Sequence, residues 1–154
     1  LIYQQFGSLS AMLVLMVDRE LQNASAGLVK AMSNSSQNPQ DRFVSTLAGL
    51  LRAVQDEPET WRMLLMPTEG GPPELYERLA KALEFTYQFL GSGLDELKKK
   101  TPNLADVDHE ITVHLMHAVG DELVKLHLKN PIEYSEERLL KHAKWASKAF
   151  FRVD

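Results

Sequence analysis

The sequence has no cysteine among its 154 residues, which excludes disulfide bonds, thiolate nucleophiles and cysteine-based zinc sites. Its longest apolar run, residues 11–17, is far below the ~20 residues that a transmembrane helix needs. The first residues lack the basic start and the small-residue cleavage site of a signal peptide. We therefore expect a cytoplasmic protein with no membrane partner.

Positive charge is scarce as well. Lysine and arginine together number 17 against 21 acidic residues, and the net charge is −4. This part of the chain is therefore unlike a nucleic-acid-coating surface, which needs clustered basic side chains. A hydrophobic content of 44% is enough for one domain with a sizeable core.

The sequence also lacks alternating strand patterns, internal repeats and low-complexity tracts, so it reads as helices separated by prolines and capping residues. Ser8, Asn38 and Ser135 are good N-caps for the first, second and last helices. The sequence predicts an all-α fold with a last helix after Ser135 and earlier helices over about 9–33, 39–57, 58–66, 73–100 and 104–129.

The helix predicted over 73–100 is apolar around most of its circumference, which indicates a central helix with neighbours on several sides. Thr86 and Tyr87 place hydroxyl groups in or beside that apolar arc. Such a hydroxyl either bonds to a nearby carbonyl or faces a small-molecule pocket. The short helix next to it is rich in tryptophan and methionine, which suits either plain core packing or an irregular cavity.

Two histidines, His114 and His117, lie on one stripe of the helix predicted over 104–129, together with Asp121. They could ligate a metal, but the Glu-x-x-His motif of di-iron bundles is absent from the sequence. The alternative that we favour is two ion pairs at i, i+4 spacing, Glu110 with His114 and His117 with Asp121. We therefore expect no metal, no cofactor and no enzyme activity.

The last two long helices have apolar surface to spare, which suggests a two-fold, four-helix seam between two copies of the chain. Trp145 lies away from the main apolar face and suggests a second contact surface. The predicted residues of the dimer interface are Ile111, Leu115, Val119, Leu139, Ala143, Ala146 and Phe150.

The opening stretch, LIYQQFGSLSAMLVLMVDRE, contains an aliphatic residue, Tyr, two variable positions, Phe and small residues, followed by an apolar helix. Ile2, Tyr3, Phe6, Gly7 and Ser8 occupy these positions. The stretch resembles the junction in TetR-family transcriptional regulators, where the recognition helix of a helix-turn-helix ends and a long connecting helix begins. The order of the later helices is also similar to that of the family's regulatory domain.

The resemblance implies a TetR-like ligand-binding and dimerisation fold of six to seven helices, with the helix-turn-helix largely absent. Residues 1–8 are then the remnant of the DNA-binding domain, and residues 9–154 form the ligand-binding and dimerisation domain. The chain starts inside a helix in this interpretation because the first two and a half helices are missing.

The resemblance also implies DNA contacts within the remnant. Tyr3 and Gln5 occupy positions that usually contact DNA phosphates, and Gln4 occupies one that faces the groove in some members. The Lys and Glu that usually follow the small residues are Leu9 and Ser10 here, so one phosphate contact of the family is missing.

The function implied is that of a ligand-responsive regulator, more often a repressor, that binds operator double-stranded DNA as a homodimer and is modulated by a small effector. We expect a mainly hydrophobic or flat effector rather than a strongly ionic one, because few charges are predicted to point inward. The expected pocket is lined by apolar or small residues on inward helix faces, namely Leu47, Leu51, Trp61, Leu65, Tyr87, Leu90, Met116 and Gly120.

Two other interpretations stay open. The chain could be a stand-alone helical module for ligand binding and dimerisation, or a metal-binding helical bundle without DNA binding. The coding sequence upstream of Leu1 distinguishes the first from a regulator, and metal analysis of the purified protein tests the second.

Overall fold

A computed structural model describes residues 8–33, 39–67 and 69–151, and the regular structure in these ranges is entirely helical. The all-α prediction is thereby confirmed. None of the described helices is both long enough and apolar enough to cross a membrane. The helices are α1 (Leu9–Ser33), α2 (Pro39–Asp56), α3 (Pro58–Leu65), α4 (Pro73–Lys100), α5 (His109–Lys129) and α6 (Glu136–Phe151).

Several residues singled out from the sequence lie outside the described part of the chain. These include the proposed DNA contacts Tyr3, Gln4 and Gln5 and the predicted cap Asn38. The side chain of the predicted interface residue Phe150 lies outside it as well.

Side-chain caps fix the starts of three helices. The hydroxyl of Ser8 accepts a hydrogen bond from the amide of Ala11 at 3.1 Å, and the hydroxyl of Ser135 accepts one from the amide of Arg138 at 3.3 Å. Each of these bonds satisfies an amide of the first turn that has no partner within its helix. Two of the caps predicted from the sequence are therefore confirmed.

The start of α5 was predicted too early. Residues Pro102–Leu104 form a short 3-10 turn, and the helix begins only at His109. Leu104 is buried against Leu97 of α4, so it belongs to the connection that reverses the chain. Asp108 is the actual cap, because its carboxylate accepts a hydrogen bond from the amide of Ile111 at 2.9 Å.

The main core forms around α2, which packs against α1, α3, α5 and α6. Leu51 and Val54 of α2 are fully buried, and Val124 of α5 is nearly so. Burial of these apolar side chains is the main source of stability in such a bundle. The buried cluster consists of Leu47, Leu51, Val54, Trp61, Val124, Leu128, Leu139 and Ala143.

The burial of α6 corrects part of the predicted dimer seam. Leu139 and Ala143 are only 4% and 2% exposed within a single chain, where they pack in the main core. They cannot also contact a second copy, so their assignment to an interface is wrong. The apolar face of α6 was read correctly from the sequence, but the helix that covers it is α2 of the same chain.

The other predicted interface residues on α5 are placed differently. Ile111 is 59% exposed and Leu115 is 50% exposed. Val119 is only partly exposed, and so is Ala146 of α6. An apolar strip on the outer face of α5 is thus open to a partner, whereas the matching face of α6 is occupied.

Polar contacts join α1 to α3 and α4. The carboxylate of Glu20 is buried and accepts a hydrogen bond from the hydroxyl of Thr60 in α3. Nearer the start of α1, Oδ1 of Asp18 lies 3.5 Å from Nη1 of Arg78 in α4. The position of α1 therefore depends on both helices that follow α2.

Candidate ligand-binding cavity

A cavity of about 600 Å³ lies among the first five helices, within the usual range for small-molecule sites. Most of its wall is apolar. The long helix α4 contributes wall residues from Tyr76 to Leu97, and α5 contributes residues from Met116 to Lys125. Tyr76, Leu83 and Phe85 border the cavity and are each exposed by about 40–50%, so the α4 side of the cavity reaches the protein surface.

The structure places six of the eight predicted pocket residues on this wall. They come from four different helices and are brought together only by the tertiary fold. The six are Leu47, Trp61, Leu65, Leu90, Met116 and Gly120.

The other two predicted residues, Leu51 and Tyr87, do not line the cavity. Leu51 is fully buried in the main core, because a step of one residue from the wall residue Leu50 turns the side chain by about 100°. The ring of Tyr87 packs against His114 and His117, with ring centroids 4.4 Å and 4.9 Å apart. Tyr87 thus joins α4 to α5 beside the cavity.

Helix α1 also lines the cavity, although the predicted pocket includes none of its residues. This helix brings an apolar stripe to the wall, which consists of Leu21, Ala24 and Leu28 with Ser25 beside them. The spacing of i, i+3, i+4 and i+7 is the usual signal of one helix face, so the stripe was visible in the sequence. The stripe alone does not reveal that α1 forms part of the pocket, because the resemblance assigns this helix the role of a connector.

Three charged side chains also lie on the wall, where few were expected. Arg42 comes from α2, and Asp121 and Lys125 come from α5. The Lys125 ammonium donates a hydrogen bond to the Asp121 carboxylate at 2.7 Å. The structure therefore pairs Asp121 with Lys125 rather than with His117, which corrects the predicted i, i+4 pair.

The imidazole of His117 lies on the wall and is half-buried. Burial lowers the pKa of its imidazole because the charged form loses its hydration, and the nearby Asp121 carboxylate only partly opposes this shift. His114 and Lys125 lower the pKa further through charge repulsion. The ring is therefore neutral at neutral pH and can act as a hydrogen-bond donor or acceptor for a ligand.

The hydroxyl of Thr86, which the sequence left open between two roles, bonds locally. It donates to the carbonyl of Ala82 at 2.9 Å, one helical turn earlier. Thr86 still lines the cavity. The hydroxyl of Tyr76, at the other end of the wall, accepts a hydrogen bond from the amide of Gly71 at 3.2 Å.

Glycine at position 120 leaves room in the cavity. A Cβ atom built there meets no heavy atom within 4 Å. The missing side chain is therefore not required by close helix packing, and its absence enlarges the cavity. Across the described residues, no cluster of three or more histidine, aspartate or glutamate side chains has a geometry that could hold a metal ion.

Neither protein-family models, nor curated proteins, nor solved structures match this chain.

Proposed function

We propose that the chain is the effector-binding and dimerisation part of a ligand-responsive transcriptional regulator of the TetR family, acting as a repressor. One observation carries this proposal. Helix α1 directly follows residues 1–8, whose sequence resembles the end of a TetR-family recognition helix, and it also supplies Leu21, Ala24 and Leu28 to the cavity wall. A ligand in the cavity therefore touches the helix that leads to the proposed DNA-binding end.

The mechanism requires the ligand to prefer one position of α1 over another, since a ligand with equal affinity for both positions shifts nothing. Contacts between α1 and its neighbours supply the linkage. Thr60 binds Glu20 and is followed directly by Trp61 on the cavity wall. A ligand that displaces Trp61 thereby acts on α1 through the adjacent residue as well as through the wall itself.

The two DNA-reading ends belong to a homodimer in this proposal, and they lie in successive major grooves about 34 Å apart. The outer face of α5 is the part of the predicted seam that stays accessible. Ile111, Leu115 and Ala118 are exposed there at i, i+4 and i+7 spacing, which forms one apolar strip. Burying such a strip against its own copy gives a closed, two-fold contact.

Sedimentation velocity tests the dimer. We expect the wild-type chain to sediment as a dimer at micromolar concentration and Leu115→Glu to sediment as a monomer. Ile132→Glu is the matched control, because Ile132 is 91% exposed in a turn outside the strip and its replacement should leave the dimer intact. A wild-type chain that stays monomeric up to high micromolar concentration contradicts this part of the proposal.

Calorimetric titration with N-phenyl-1-naphthylamine, a neutral apolar probe, tests the cavity. Trp61→Ala should weaken binding of the probe, and Gly120→Leu should abolish it by filling the space that position 120 leaves open. Trp145→Ala is the control, since Trp145 is 67% exposed and lies away from the wall. Equal binding by the wild type and by Gly120→Leu would show that the cavity is not the binding site.

The coding sequence upstream of the Leu1 codon tests the proposed DNA-binding function. We expect the reading frame on the 5′ side of the Leu1 codon to encode a basic helix-turn-helix, and the protein that includes it to retard operator DNA in a gel until effector is added. A start codon immediately ahead of Leu1 would instead support a stand-alone module for ligand binding and dimerisation.

A further inference from the structure

The wall of the cavity is longest along α4. On this helix it runs from Tyr76 to Leu97, a stretch of about 30 Å at the usual helical rise. Wall residues recur along the whole of this stretch. A volume of about 600 Å³ along this wall is large enough for one extended chain.

The charged residues of the wall lie at opposite ends of this space. Helices α4 and α5 are antiparallel. At the start of α5, Nε2 of His109 lies 3.2 Å from the carbonyl oxygen of Gly91. Farther along α5, the ring of His117 contacts the ring of Tyr87, which comes earlier in α4 than Gly91 does. Lys125, two turns beyond His117, is therefore level with the first half of α4. Arg42 is at the other end, because the adjacent Phe43 packs against the cluster of Leu97 and Leu104 at the end of α4.

The two ends differ in electrostatic character. At the Lys125 end the ammonium is neutralised by Asp121 at 2.7 Å. Asp121 is also the one acidic side chain among the described wall residues, so the charge of Arg42 has no counterpart on the wall. Glu96 lies outside the wall, and its carboxylate accepts a hydrogen bond from Lys99 at 2.8 Å. Of the basic groups that lower the pKa of Glu96, Arg42 has the smallest effect.

Arg42 is partly buried and lines the cavity. A guanidinium there is suited to an anionic head group, because a charge-assisted hydrogen bond gains strength where water is excluded. Thr46 lies one helical turn from Arg42 on the same face of α2, also on the wall, and brings a hydroxyl to this end. We propose that the cavity binds a long-chain fatty carboxylate, with the acyl chain along α4 and the carboxylate at Arg42. If the chain is the regulator proposed above, a fatty carboxylate is its effector. The binding of the carboxylate can be tested without that function.

Calorimetric titration of the 154-residue chain with octanoate, dodecanoate and hexadecanoate, each below its critical micelle concentration, tests the acyl chain. We expect affinity to rise by up to roughly fourfold for each added methylene that the cavity buries. An affinity for dodecanoate no greater than that for octanoate overturns the proposal.

Paired probes and variants test the head group. Arg42→Gln should weaken dodecanoate binding by about tenfold or more while leaving 1-dodecanol binding unchanged, and Arg42→Lys should restore much of the loss. Arg52→Gln is the control, because Arg52 is exposed on α2 and lies off the wall. Equal losses for the acid and the alcohol, or tighter binding of dodecylamine than of dodecanoate, overturn the proposal.

Displacement of N-phenyl-1-naphthylamine separates this inference from the proposed function. Fatty carboxylates should displace the probe from the wild-type chain. If the probe binds the wild type, fails to bind Gly120→Leu and resists displacement by every fatty carboxylate, the ligand class is wrong and the effector cavity stands. If neither the probe nor the carboxylates bind, the effector-binding function fails as well.

Discussion

Thr60 donates its hydroxyl hydrogen to Oε2 of Glu20, and this bond joins the short helix α3 to the long helix α1. The other carboxylate oxygen of Glu20 accepts a hydrogen bond from Arg19 Nε at 2.9 Å. Glu20 and Thr60 are only 8% and 5% exposed. A buried carboxylate with both oxygens satisfied is a costly group to disturb, so this contact resists separation of the two helices.

Replacing Thr60 with valine keeps the shape of the side chain but removes the donor. We expect Thr60→Val to lower the free energy of unfolding by about 1–3 kcal/mol, because a buried carboxylate oxygen is left without its partner. Thr60→Ser, which keeps the hydroxyl, should lose much less. Urea denaturation measures both, and equal losses for the two variants would show that the hydroxyl is not the stabilising group.

Acid should weaken the same contact. The Thr60 hydroxyl and then the Arg19 guanidinium hold the pKa of Glu20 below its usual value of 4.5. The native state therefore releases this proton more readily than the unfolded chain does. The stabilisation is fully present above pH 4.5 and is lost as the pH falls through the native pKa.

Glu20→Gln removes this titration. Its deficit in unfolding free energy relative to the wild type should be largest at neutral pH and should shrink as the pH is lowered below 4.5. Glu57→Gln serves as the control, because Glu57 is an exposed carboxylate just ahead of α3 that takes no part in the contact between Glu20 and Thr60. A Glu20→Gln deficit that is constant with pH would mean that the ionised carboxylate contributes no stability.

The helices were predictable from the sequence because local signals mark their ends. Pro58 and Pro73 stand at the first positions of α3 and α4, and Ser8 caps α1. The start of α5 was mistaken because Leu104 continues the apolar pattern, although its burial against Leu97 belongs to a turn. Regular apolar spacing predicts which residues will be buried, but it does not show whether the backbone that carries them is helical.

The partner of each apolar face could not be derived in the same way. Leu139 and Ala143 were recognised as a packing face, but whether α2 or a second chain covers that face depends on the tertiary fold. The charged end of the cavity was also out of reach, because Phe43, the neighbour of Arg42, packs against the cluster of Leu97 and Leu104, which is distant from it in sequence. Six of the eight residues predicted to line the pocket nevertheless lie on the cavity wall, because the inward faces of amphipathic helices converge wherever the bundle is hollow.

Glycine at two helical positions gives a matched pair of substitutions. Gly120→Ala should raise the free energy of unfolding by about 1 kcal/mol, because alanine favours the helix and its Cβ meets open space. A Cβ at Gly27 lies 3.1 Å from the Cβ of Ala53, which is held by the backbone of α2. Gly27→Ala should therefore gain little or should lose stability.

Thermal unfolding of the two glycine variants checks this comparison. A gain of about 1 kcal/mol corresponds to an increase in Tm of roughly 2–4 °C for a domain of this size. If both substitutions raise Tm equally, then α1 and α2 are not packed as closely at Gly27 as the structure indicates.

Leu51→Ala should be among the more damaging single substitutions. The side chain is completely buried and lies off the cavity wall, so its loss leaves a void in packed core and should cost about 2–5 kcal/mol. Leu15→Ala is the control, because Leu15 is 56% exposed on α1 and its truncation should cost less than about 0.5 kcal/mol. Urea denaturation gives both values, and similar costs at the two sites would contradict the placement of the core around α2.

The two tryptophans occupy opposite environments, Trp61 at 9% exposure on the cavity wall and Trp145 at 67% beside His142 on the surface. Their ultraviolet emission can therefore be separated without attaching any label. Iodide quenches the red-shifted light of Trp145 selectively, and the remaining blue-shifted signal reports from inside the bundle. Ligand binding in the cavity and the accessibility of the outer face of α6 can thus be followed in the same sample.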